Sequence, residues 1–98
     1  MKIMAITRRV PSVSFDDIQR YQIPEATKVW EGIRKGIIRE IYFDPAKPCV
    51  VVILEAETVE VAATFLDELP MVRNRLIEFD YTVLGPYTQL SNLFAECG

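Results

Sequence analysis

Residues 50–54 form the run Val-Val-Val-Ile-Leu, which limits more than any other feature how this chain can fold. Side chains of a β-strand point alternately to its two faces, so this run would present apolar groups on both faces. Such a strand is typically covered on both sides, because each large aliphatic side chain left in water forfeits roughly 1.5–3 kcal/mol. The 98 residues of the chain suffice for one core. We therefore expect a single domain, residues 1–98, whose central strand is covered from two sides.

Apolar patterning outside this run predicts the other elements of the domain. Short apolar or alternating segments predict strands at residues 2–7, 37–43, 49–54 and 77–84. Apolar residues at helical spacing predict one helix after Ser14, which can form a capping box with Asp17, and a second helix between Thr58 and Pro70. We expect Pro24 to break or kink the first helix, because proline lacks the backbone N–H and clashes with the preceding turn.

The order βαββαβ is that of the ferredoxin-like α+β fold, in which two helices cover one face of an antiparallel four-stranded sheet. The second face of residues 50–54 then needs another cover, and a second copy of the chain is the simplest candidate. We therefore expect a homodimer or a higher oligomer. We also expect the tail after the last strand to form a helical turn or two and to pack across the dimer boundary; its apolar residues are Tyr87, Leu90, Leu93 and Phe94.

The composition excludes several classes of function. The chain has no histidine, which excludes histidine-based catalytic triads and the usual zinc sites. Its net charge of −3 argues against nucleic-acid binding, and no apolar run approaches the ~20 residues of a membrane-spanning helix. Cys49 and Cys97 are the only cysteines, and we interpret them as free thiols of a cytoplasmic protein. We expect no metal ion, no cofactor, and neither a nucleic acid nor a membrane as partner.

Four segments together resemble a known protein family. They are residues 36–42 (Gly-Ile-Ile-Arg-Glu-Ile-Tyr), residues 50–55, residues 66–70 (Leu-Asp-Glu-Leu-Pro) and the pair Pro86-Tyr87. These segments are similar to the muconolactone isomerase-like and YciI-like proteins of the dimeric α+β barrel superfamily. The resemblance implies that two ferredoxin-like subunits place their open sheet faces together, with a small-molecule pocket in each subunit between helices and sheet. It also implies that the protein isomerises or binds a small organic acid or lactone.

Five side chains are candidates for a site of this kind. Arg39 and Tyr42 match the family-like pattern Gly-x-x-Arg-x-x-aromatic and are candidates for substrate binding. The planar guanidinium of Arg39 suits a substrate carboxylate. Glu55 and Asp80 are candidate catalytic residues that move a proton, because the chain offers no histidine for this role. Trp30 is a further candidate for substrate binding.

Each of these residues also has an ordinary structural explanation. Arg39 can be a charge on an edge strand, and Glu55 and Asp80 can belong to solvated surface. Tyr42 can line an interface and Trp30 can be part of the core. Two functions therefore stay open: a small enzyme of the isomerase type, or a non-catalytic dimeric ligand-binding or assembly module. A cavity in which Arg39, Tyr42 and a carboxylate converge would favour the enzyme.

Overall fold

Four strands form one antiparallel sheet in a computed structural model that describes residues 1–9 and 14–94. The strands are β1 (Lys2–Arg9), β2 (Ile38–Asp44), β3 (Cys49–Glu55) and β4 (Ile77–Leu84). The helices are α1 (Phe15–Arg20), α2 (Gln22–Arg34), α3 (Val59–Asp67) and α4 (Pro70–Arg73), and a 3-10 helix, Thr88–Leu93, follows β4. The strand order is β2-β3-β1-β4 with every pair antiparallel. This topology confirms the predicted ferredoxin-like α+β fold.

The helices cover one face of the sheet and form the core with it. In the register of β1 with β3, Ile3 pairs with Leu54 and Ala5 with Val52, and all four side chains are buried. The complete buried cluster joins the sheet to α3 and to the segment that follows it: Ile3, Ala5, Ile38, Val52, Leu54, Ala62, Phe65, Leu66 and Leu69. Val29 of α2 packs against this cluster and is only partly buried.

The opposite face of the sheet carries apolar side chains as well. Met4 and Ile6 of β1 pair with Ile53 and Val51 of β3, and all four are half-buried. The four α-helices lie on the other side of the sheet. The central strand β3 therefore presents apolar groups on both faces, as the sequence predicts. The copy of the chain that we expect on this second face remains a prediction.

The first helical segment breaks at Tyr21. The predicted position of the break, Pro24, lies three residues later. The predicted capping box is present at its start, with Ser14 Oγ accepting from the Asp17 N–H at 3.1 Å. α2 begins at Gln22, so Pro24 lies in the first turn of α2. Backbone N–H groups of a first turn have no partner within the helix, so a proline there removes no hydrogen bond. The clash of its ring with the preceding turn therefore interrupts the helix upstream.

Pro70 begins a helix instead of only closing one. α3 starts at the predicted cap, where Thr58 Oγ1 accepts from the Val61 N–H at 3.1 Å, and it ends at Asp67. Leu69 is extended, and Pro70 is the first residue of the four-residue helix α4. Proline suits this position because its fixed φ matches the helix and its missing N–H would have no helical partner.

Residues 85–94 form a C-terminal arm that does not join the core. The predicted short helix is present as the 3-10 helix, and none of its residues is buried. The large apolar side chains of the arm are 56–73% exposed: Tyr87, Leu90, Leu93 and Phe94. The radius of gyration is 16.5 Å and the longest dimension 60 Å, whereas a compact domain of this length has a radius of gyration of about 13 Å. The arm therefore extends away from the domain.

Candidate functional site

An apolar cleft of about 710 Å³ lies between the helices and the sheet. Small organic ligands occupy sites of about 300–1,000 Å³. The helical wall consists of Phe15, Ile18, Gln22, Glu25, Ala26, Val29, Trp30 and Ile33. The sheet and the segment after α3 provide the floor and the far wall: Thr7, Ile38, Ile41, Phe43, Pro48, Cys49, Val50, Val52, Leu66, Leu69, Met71, Ile77 and Phe79. The cleft thus opens directly onto the hydrophobic core.

α2 packs closely against the core at Gly32 and less closely at Val29. Gly32 is the one buried residue of α2. A Cβ atom at Gly32 would lie 2.6 Å from Cζ of Phe65 and 2.8 Å from Cδ1 of Ile38, so the missing side chain permits this approach. Toward the start of α2, Val29 is partly buried and Ala26 is exposed. The apolar side of α2 therefore faces a space that it does not fill.

The rim of the cleft exposes large apolar side chains. Phe15 is 68% exposed, Trp30 59% and Phe43 63%. Single exposed apolar residues are common on protein surfaces, but a contiguous group around a concave surface is typical of a binding site. Trp30, predicted as either a core residue or a substrate contact, lies at this rim and so can contact a molecule in the cleft.

Glu25 is the one carboxylate among the described residues that line the cleft. Its Oε1 accepts a hydrogen bond from the backbone N–H of Met71 at 2.9 Å, which joins α2 to α4. Burial raises the pKa of Glu25, and the hydrogen bond from Met71 lowers it by less. The sequence signal for this residue is its position four residues before Val29, on the apolar side of the helix. Glu25 is not among the site residues predicted from the sequence.

The other polar groups of the cleft are few and uncharged. The hydroxyl of Thr7 accepts a hydrogen bond from the Val50 N–H at 2.8 Å, so it is already used in joining β1 to β3. Gln22, the indole N–H of Trp30 and the free thiol of Cys49 complete the set of described side chains. No lysine or arginine is among the described residues that line the cleft. Cys97, the other predicted free thiol, lies outside the described residues.

Arg39 and Tyr42 lie outside the cleft. Arg39 is exposed, and its Nε donates to the carbonyl oxygen of Gly36 at 2.8 Å. Tyr42 is 59% exposed on the face of the sheet opposite the helices, and its hydroxyl donates to Oε1 of Glu40 at 2.8 Å. The Glu40 carboxylate raises the pKa of Tyr42. The structure of the subunit therefore does not bring the two predicted substrate-binding residues together with the cleft.

Glu55 and Asp80 are exposed and far apart in the register of the sheet. Oε1 of Glu55 lies 3.4 Å from the N-terminal amine, next to the end of β3. Asp80 lies near the opposite end, with its Oδ1 3.5 Å from Nη2 of Arg8, which also contacts Glu78 at 2.8 Å. Neither carboxylate lines the cleft. Their proposed catalytic role stays a prediction, and their surroundings are those of surface ion pairs.

Two further findings concern the part of the chain that the structure describes. No group of three or more histidine, cysteine or acidic side chains there could hold a metal ion. No described helix is long and apolar enough to cross a membrane.

The comparisons with known proteins add no assignment. No model of a known protein family matches this chain, and no curated protein is significantly similar to it. The resemblance to the muconolactone isomerase-like proteins therefore rests on the residues quoted for it and stays a prediction.

Proposed function

We propose that the protein is a homodimer in which each subunit binds one small, largely apolar organic molecule in the cleft between helices and sheet. The observation that carries this proposal is the cleft of about 710 Å³ with its exposed apolar rim. A bound molecule would remove Phe15, Trp30 and Phe43 from water, and this burial favours binding. The free thiol of Cys49 fits the cytoplasmic location that belongs to the same proposal.

Two surfaces support the dimer. The face of the sheet opposite the helices carries Met4, Ile6, Val51 and Ile53, which a second sheet would cover. The C-terminal arm exposes four large apolar side chains and extends away from its own domain. Both features are typical of a chain that completes its hydrophobic contacts with a second copy.

Two versions of the function differ in whether the bound molecule is changed. The resemblance to muconolactone isomerase implies the isomerisation of a small lactone or organic acid. The alternative is a non-catalytic dimeric ligand-binding or assembly module, and the separation of Arg39, Tyr42, Glu55 and Asp80 in the subunit favours it. Mass spectrometry and NMR of a bound lactone before and after incubation distinguish the two versions.

A thermal-shift screen against small lactones, hydroxy acids and phenols tests the proposal. A molecule that binds only the folded protein raises its stability by about 2.7 kcal/mol at 100 times Kd. The variant Ala26→Phe would fill the cleft and should abolish the shift. Thr27→Phe introduces the same ring at the next, exposed position of α2, which does not line the cleft, and should retain it. Equal shifts in both variants would show that binding occurs elsewhere, and no shift with any compound would contradict the proposal.

A further inference from the structure

We infer that Glu25 is the ligand-contacting polar group of the cleft, and that it selects a neutral ring compound with a hydroxyl group over the corresponding carboxylate anion. This inference rests on the proposed function, because it names the class of molecule that the cleft would take. It also reverses the expectation from the sequence that the site binds an acid through Arg39. Three features of the structure support it.

The first feature is the position of the Glu25 carboxylate. Its Oε1 is held by the N–H of Met71 at 2.9 Å, which fixes the orientation of the side chain in the cleft wall. Oε2 makes no hydrogen bond to any described residue, so it can accept one from a ligand. Hydrogen bonds to a charged acceptor are stronger than those between neutral groups. A ligand hydroxyl can therefore supply the partner that the protein does not provide.

The second feature is the absence of a cation among the described residues that line the cleft. A carboxylate ligand would bring a second negative charge beside Glu25 with no lysine or arginine to pair with it. Burying an unpaired charge in apolar surroundings is costly, and a nearby like charge raises the cost further. Arg39, which sequence analysis proposed as the anion anchor, instead donates to Gly36 and is exposed. The cleft therefore disfavours organic acids.

The third feature is the apolar surface that surrounds Glu25. Ala26, Val29 and Trp30 follow it on the same helix, and Phe43 and Phe79 line the same cleft from the sheet. Aromatic side chains pack well against ring compounds. Burial among these side chains also raises the pKa of Glu25. The Glu25 carboxylate is therefore a better proton acceptor than an ordinary carboxylate. A hydroxylated ring, such as a phenol or a hydroxy lactone, matches this combination of apolar walls and one acceptor.

Three ring compounds of similar size test the inference: 4-ethylphenol, its methyl ether and 4-ethylbenzoate, titrated at neutral pH with binding followed by calorimetry. We expect the phenol to bind best. The ether, which lacks the donor, should bind roughly 10- to 100-fold more weakly, and the benzoate should show no binding. This comparison needs no variant and so does not depend on how a substitution folds.

The variant Glu25→Gln removes the charge and keeps a carbonyl oxygen that can accept from Met71. It should lose most of the preference for the phenol over the ether and should gain measurable binding of the benzoate. Glu31→Gln is the matched control, because Glu31 lies on the same helix but pairs with Lys28 and Lys35 at the surface. It should bind all three compounds as the parent does.

The possible results separate this inference from the proposed function. Equal binding of the three compounds by the parent, abolished by Ala26→Phe, would retain the cleft as a binding site and overturn the role of Glu25. A preference for the benzoate would also overturn it, as would an unchanged preference in Glu25→Gln. If none of the three compounds binds, both the inference and the proposed apolar site are wrong.

Discussion

Replacing Gly32 with alanine should destabilise the protein although alanine is the better helix former. The new Cβ would lie 2.6 and 2.7 Å from Cζ and Cε1 of Phe65 and 2.8 Å from Cδ1 of Ile38. Carbon atoms in contact are normally about 3.5–4.0 Å apart. Both neighbours are buried in the core, so their side chains cannot swing into solvent. Either these side chains or α2 itself must therefore move.

The expected magnitude follows from two opposing effects. Overpacking of a core costs about 1–3 kcal/mol, and replacing glycine by alanine inside a helix returns roughly 1 kcal/mol. Because three atoms are affected and all are enclosed, we expect a net loss of about 1–2 kcal/mol. For a domain of this length, this corresponds to a decrease in Tm of roughly 4–15 °C.

Urea and thermal unfolding at one fixed protein concentration measure this loss, since association would make Tm depend on concentration. Gly85→Ala is the control, because a Cβ at Gly85 meets nothing within 4 Å, and it should be neutral. Adding Phe65→Leu to Gly32→Ala should cost less than the sum of the two single changes, since the shorter side chain relieves the contact. A Gly32→Ala protein as stable as the parent, or more stable, would refute the close approach of α2.

Three further predictions concern the dimer and the cleft. Ile53→Glu, on the open face of the sheet, should shift the protein to a monomer in light scattering, because it would bury a charge in the interface. Val61→Glu, on the exposed side of α3, should leave the dimer intact. If both variants are dimers, the sheet face is not the interface. Deleting the residues after Gly85 should raise the dimer dissociation constant, and an unchanged constant would show that the arm serves something else. The raised pKa of Glu25 means that the folded state holds the proton more strongly than the unfolded chain. The parent should therefore lose stability relative to Glu25→Gln as pH rises above about 4.5 toward 7, and parallel Tm curves over this range would contradict the assignment.

The strands and helix starts could be predicted from the sequence because their signals are local. The alternation of residues 77–84 predicts β4 with the bounds that the structure has, and Ser14 and Asp17 form their capping box within a few residues. The helix breaks at Tyr21, three residues before the position predicted from Pro24, because a proline constrains the turn before it as well as its own position.

The candidate site was harder to predict because it depends on contacts between distant segments. One wall of the cleft is α2, which approaches Phe65 and Ile38 at Gly32, and nothing in the local sequence indicates this approach. The side of the sheet on which Tyr42 lies depends on an irregularity in β2, where the register shifts between Ile38 and Glu40. Strict alternation from Ile38 would have turned Tyr42 toward the helices, but the extra residue turns it to the opposite face.

The same irregularity affects how the sheet can grow. β2 lies at the edge of the sheet and leaves one row of backbone groups unpaired. An edge of this kind can recruit strands from other molecules and so begin a fibril, but a bulge interrupts the even spacing of donors and acceptors that an added strand requires. The charged pair Arg39 and Glu40 lies at this interruption. The edge strand is thus protected against uncontrolled lateral pairing, even though its neighbour β3 is one of the most apolar segments of the chain.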